Sequence, residues 1–109
     1  MDEISKRLEA AQAANPGKRL YVVDSPAGVL ILGRPSRANY LLYLAMAMSD
    51  DATEKVNARE TILKACAVDP PVEAYGALLE EYPGLPGNPD VLAAISKAAG
   101  VAKDTLAKK

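Results

Sequence analysis

The chain has 109 residues, enough for one ordinary domain with a small core and too few for two. Half of the residues are hydrophobic, yet there is no Phe and no Trp, so the core must be thin, close-packed and largely helical. Thirteen basic residues against 14 acidic ones leave a net charge of −1, which gives no long-range attraction to polyanions and argues against nucleic acid as a partner.

Residues 2–14 carry Ile4, Leu8 and Ala11 at helical spacing, and Asn15-Pro16-Gly17 stops them: a short amphipathic helix over residues 1–15. This end is charged from its second residue and lacks the apolar stretch of a secretory signal, so it is expected to stay on the mature protein. Two aliphatic runs follow, Leu20-Tyr21-Val22-Val23 and Val29-Leu30-Ile31-Leu32, around the turn-forming Asp24-Ser25-Pro26-Ala27-Gly28. They predict a β-hairpin over residues 19–33. Because both runs are almost continuously apolar, both faces of the ribbon are expected to be covered, one by the chain itself and the other by a partner.

Ser36 is a plausible N-cap for a helix that is apolar nearly all round through Met48, and such a helix is expected to sit among others as a central core helix. Its apolar run, residues 40–48, is about half of the roughly 20 residues that span a bilayer, so no membrane insertion is expected. Asp51, with Glu54 three positions on, opens another helix whose buried stripe is predicted as Val56, the stem of Arg59, Ile62, Leu63 and Cys66, ending by Val68. Asp69-Pro70-Pro71 then reads as the start of a third helix, with Asp69 as cap and Pro70 in the first turn, whose face is Val72, Tyr75, Leu78, Leu79 and Tyr82. Tyr82, Pro83, Gly84, Leu85 and Pro86 form a short structural loop closed by Gly87. Asn88-Pro89-Asp90 restarts a helix on Val91, Leu92 and Ile95, which Gly100 ends in the left-handed conformation. Residues 101–109 are expected to fray. The whole of 1–109 reads as one α+β domain: an N-terminal helix and a β-hairpin packed on a bundle of four or so short helices across residues 36–100.

Reactive chemistry is harder to find. Histidine, the side chain best placed to exchange protons near neutral pH, does not occur, which removes most hydrolase chemistry and points away from an enzyme. Asp50 and Asp51 are adjacent but lack partners at metal-ligand spacing, and Gly84 and Gly87 are separated by a proline that removes a backbone donor, so neither a metal nor a phosphate-bearing cofactor is expected. The single cysteine, Cys66, excludes an internal disulfide and reads as a small buried apolar residue. A helix pair around Arg59 and Lys64 imitates a DNA-reading motif, with positive charge too sparse for the usual phosphate contacts.

What remains is surface. Lys18, Arg19, Arg34 and Arg37 are the densest basic group, gathered by the hairpin at one end and read first as a solvated rim, second as contact with an acidic or helical partner. Tyr40, Tyr43, Met46 and Met48 are read first as core packing and second as an exposed groove for an amphipathic segment of another chain. With Val29 and Ile31 on the hairpin face, and Arg34 and Arg37 beside them, these residues make the candidate partner-binding set.

Three stretches in this order carry a family likeness: Gly33-Arg34-Pro35-Ser36-Arg37-Ala38-Asn39-Tyr40 after a hairpin, Ala65-Cys66-Ala67-Val68-Asp69-Pro70 at a helix end, and Leu79-Glu80-Glu81-Tyr82-Pro83-Gly84-Leu85-Pro86. Together they resemble the small tail assembly chaperones of long-tailed bacteriophages and related prophages. The likeness spans roughly residues 19–100; the N-terminal helix and the Ala-rich C-terminal end have no counterpart in that pattern. It implies a non-enzymatic protein of the host bacterial cytoplasm that coats the tape measure protein, keeps it soluble, helps recruit major tail tube subunits, and is not in the mature virion. It also implies a longer form made by frameshifting near the end of the reading frame. Self-association is compatible with so alanine-rich a chain. The competing reading is a small phage or bacterial regulator or inhibitor that acts by stoichiometric protein binding.

Overall fold

A computed structural model of the protein describes residues 3–102. Met1 and Asp2, expected in the first helix, and residues 103–109 of the expected frayed tail lie outside the described residues. The fold is α+β. The order is α1 (Glu3–Ala14), β1 (Leu20–Ser25), β2 (Gly28–Gly33), α2 (Arg37–Ala47), α3 (Ala52–Cys66), β3 (Ala67–Asp69), α4 (Tyr75–Glu81) and α5 (Pro89–Ala98), with single 3₁₀ turns at Val72–Ala74 and Leu85–Gly87.

The local signals act where expected. β1 and β2 pair antiparallel from Leu20 opposite Gly33 to Ser25 opposite Gly28. Pro26 and Ala27 have negative φ and Gly28 has φ 101°, which fits a turn with proline in first position, closed by a left-handed glycine. The Ser25 hydroxyl locks it, donating to the Gly28 carbonyl at 2.7 Å and accepting from the Ala27 N–H at 3.1 Å. Side-chain oxygens of Ser36, Asp51 and Asn88 each accept backbone N–H groups that the first turns of α2, α3 and α5 leave without helical partners.

The sheet holds a strand that the hairpin alone does not foretell. β3 pairs antiparallel with the far side of β2, so the strand order is β1-β2-β3 and β2 is central. This corrects the reading of Asp69 as a helix cap: recruited to the sheet, residues 67–69 stay extended, the Asp69–Pro70 bond is cis, and the 3₁₀ turn before α4 starts only after Pro71. It also explains the unbroken apolar run of β2. Val23, Leu30 and Leu32 face the main core with Ile62, Leu63, Cys66, Tyr75, Leu85, Val91 and Ile95. Ile31 points to the opposite face and is fully buried there, while α1 packs on β2 and β3. The second face of the ribbon is thus covered by the chain's own first helix over β2, whereas Val22 on β1 stays 45% exposed. At the end of β2 a Cβ on Gly33 would come within 3.2 Å of the Val68 side chain and 3.3 Å of that of Leu20, so a larger residue there would push those side chains aside by a few tenths of an ångström.

Arg7 clamps α1 to the sheet. Its Nε donates to the Asp69 carboxylate at 2.9 Å, and its Nη2 donates to the carbonyls of Val29 at 2.9 Å and Asp69 at 3.2 Å, bridging two strands with one guanidinium. On the other side of the sheet α5 lies against β1 and β2 and continues to α3. Its buried residues are Val91, Ala94, Ile95 and Ala98.

Candidate interaction surface

The helix predicted to be central is instead an outrigger. α2 packs chiefly on α3, and none of its residues is buried. Residues at helical spacing on one side, Tyr40, Tyr43, Leu44 and Ala47, are half-buried toward α3 and the core, with the Tyr40 and Tyr43 rings tilted against each other at 5.7 Å between centroids. The opposite stripe, Ala38, Leu41, Leu42, Ala45 and Met48, faces solvent, and Met48 is 80% exposed. The reason for the misreading is physical. A helix apolar on both sides is buried only if the fold supplies neighbours for both, and here only α3 arrives.

Val56 is corrected in the same way. Placed in the buried stripe of α3, it is 74% exposed; Ala58 takes an inner position with Ile62, Leu63 and Cys66, and Arg59 is exposed. Val56 instead lines a groove of about 530 Å³ with Tyr43, Ala47, Lys55, Ala58 and Arg59, along the seam between α2 and α3. Of eight large exposed hydrophobic residues among the described residues, four (Leu41, Leu42, Met48 and Val56) lie on this helix pair. Scattered apolar exposure is ordinary, but this concentration on one hairpin of helices makes it the candidate contact surface.

The candidate set does not come together as one patch. Tyr40, Tyr43 and the half-buried Met46 share α2, Met48 is its C-cap, and Arg37 opens it. Ile31 is withdrawn from the set, because its side chain is sealed in the sheet, and the half-buried Val29 gives its carbonyl to Arg7. Arg34 goes elsewhere: with Gly17, Lys18, Arg19, Tyr21 and Ala98 it lines a small pocket of about 220 Å³, so three of the four basic residues gather at one end of the hairpin while Arg37 stands outside it. Leu41 and Leu42 belong to the surface and were not singled out in the sequence, whereas Val56 was assigned to the buried stripe of α3. The signal that could have found them is the absence of any polar stripe in residues 40–48.

In the loop, Leu85 and Pro86 are buried in the core side while Pro83 and Gly84 are exposed and Tyr82 is half-buried. The Tyr82 carbonyl accepts the Leu85 N–H at 3.0 Å, which folds the loop back onto α5.

Burial pushes the Cys66 thiol up to about 12, so the nucleophilic thiolate is suppressed at physiological pH. Tyr75 is also pushed up to about 12, by burial first and then by the nearby Cys66 and Asp69, against an opposing pull from Arg7. Its hydroxyl is buried with no hydrogen-bond partner among the described residues. No group of three or more His, Cys, Asp or Glu side chains is placed to hold a metal ion among the described residues, and no helix there is long and apolar enough to cross a membrane. No protein-family model, curated protein or solved structure matches the chain.

Proposed function

We propose that this chain is a holding protein of the phage tail assembly chaperone type, which binds helical stretches of the tape measure protein in the bacterial cytoplasm and keeps them soluble until tail tube subunits take over. The observation that carries this reading is the outward stripe of α2: Ala38, Leu41, Leu42, Ala45 and Met48 expose an apolar helix face beside the α2–α3 groove. Such a stripe matches the spacing by which an amphipathic helix presents its own anchors. It suits many weak, exchangeable contacts, and Met48 at its end adapts to varied client side chains. The three stretches that resemble the tail chaperones support the same assignment, and the first of them runs into α2 itself.

Co-expression tests it. The tape measure protein of the same gene cluster is expected to move into the soluble fraction with this chain, and to return to the pellet when Leu42→Lys and Met48→Lys are combined. A client equally insoluble with and without the wild-type chain sinks the assignment.

A further inference from the structure

We propose that α2 is also the seam of a homodimer, in which two copies lay their outward stripes antiparallel about a two-fold axis, each α3 remaining on the outer side of its own α2. The occupant is chosen by self-complementarity. Along the stripe small and large residues alternate, Ala38 and Ala45 against Leu41, Leu42 and Met48. Two such faces interlock antiparallel when the large residue of one copy meets the small residue of the other. The register that sets Ala38 against Met48 of the second copy also sets Leu41 against its Ala45, and brings Arg37 to the end where the turn carrying its Asp50 and Asp51 begins.

Charge selects the same arrangement. α2 opens on Arg37, and the turn from α2 into α3 carries Asp50 and Asp51, followed by Glu54 in the first turn of α3. Parallel pairing would stack Arg37 on Arg37 and the acidic turn on itself, whereas antiparallel pairing brings opposite charges together at both ends. Between the ends, α2 contains no other charged residue to oppose close contact.

An 11-residue helix is about 16 Å long. The seam is therefore short, with an interface near or below the ~1,200 Å² at the lower end of stable complexes, and the dimer is concentration-dependent. On the chaperone reading, the second copy shields the stripe until a client helix replaces it.

Sedimentation equilibrium on the full chain, from roughly 2 to roughly 200 µM, reads the dimer directly. A reversible monomer–dimer equilibrium is expected, abolished by Ala45→Glu and left unchanged by Val72→Glu, with unaltered helical circular dichroism confirming that both variants fold. Arg37→Asp is expected to weaken association about tenfold, and combining it with Asp50→Arg to restore it, because the swap rebuilds both end pairs. A monomer at every concentration, a dimer indifferent to Ala45→Glu, or a charge swap that fails to rescue each overturns the proposal. None of these measurements involves the client, so failure here leaves the chaperone assignment to the co-expression test, and failure there leaves the dimer standing. A helical tape measure peptide added to the dimer is expected to lower the dimer fraction. A peptide that binds without doing so overturns the shared use of the stripe.

Discussion

β2 and α2 carry similar apolar runs a few residues apart, and the fold treats them in opposite ways. Leu30, Ile31 and Leu32 of β2 are fully buried, enclosed by α5 and the core on one side and by α1 on the other. α2 is as apolar and no residue of it is buried. The contrast shows that hydrophobicity states a demand for cover, while topology decides whether the same chain meets it. Where it does, the residues report on stability; where it does not, they are left as candidates for binding.

Substitutions can break that division. Leu63→Ala, in the enclosed region, is expected to cost about 2–5 kcal/mol in urea unfolding, because it leaves a cavity between α3 and the sheet. If the loss is below about 1 kcal/mol, this region is not the tightly packed core described above.

The next effect is alkaline. Unfolded, the Cys66 thiol loses its proton near 9.0 and the Tyr75 hydroxyl near 10.0, but folded each holds it to about 12. The folded state binds more protons in that window, so stability falls as pH rises through it, by up to about 1.4 kcal/mol per pH unit for the thiol alone. Thermal melts should decline from near pH 9.0, and in Cys66→Ala the decline should start about one unit later, where Tyr75 begins. An identical onset in both proteins would remove the thiol from the account.

Arg7→Ala should cost about 1–2 kcal/mol, since three hydrogen bonds from a partly exposed guanidinium hold α1 over β2 and β3. Hydrogen exchange is expected to rise first in α1 and leave α5 protected. Smallest is Leu42→Ser, expected to change stability by less than about 0.5 kcal/mol while weakening every association of the α2 stripe. A loss of several kcal/mol would mean that the stripe is covered within the chain after all.

Legibility in the sequence followed the same divide. Features decided within a few residues were readable: the caps at Ser36, Asp51 and Asn88, the Pro26–Gly28 turn, and the buried Cys66. Features decided by distant neighbours were not. Ala67-Val68-Asp69 is too short and too ordinary to announce a strand, and becomes one only because β2 offers a free edge. Arg7 looks like any polar residue of an amphipathic helix until the fold brings Asp69 to it. The candidate surface was half visible: α2 was singled out, but the side of it that faces water depends on which neighbours fail to arrive.

The junction of α3 and β3 has a mechanical consequence. α3 ends at Cys66 and β3 begins at the next residue, so no loop intervenes to absorb a bend. The α2–α3 arm is a lever set directly into the sheet, and only Ala67 and Val68 separate its root from Asp69, where Arg7 grips. A load taken up on the arm is therefore shared between the core that holds Ile62, Leu63 and Cys66 and the anchorage of the first helix.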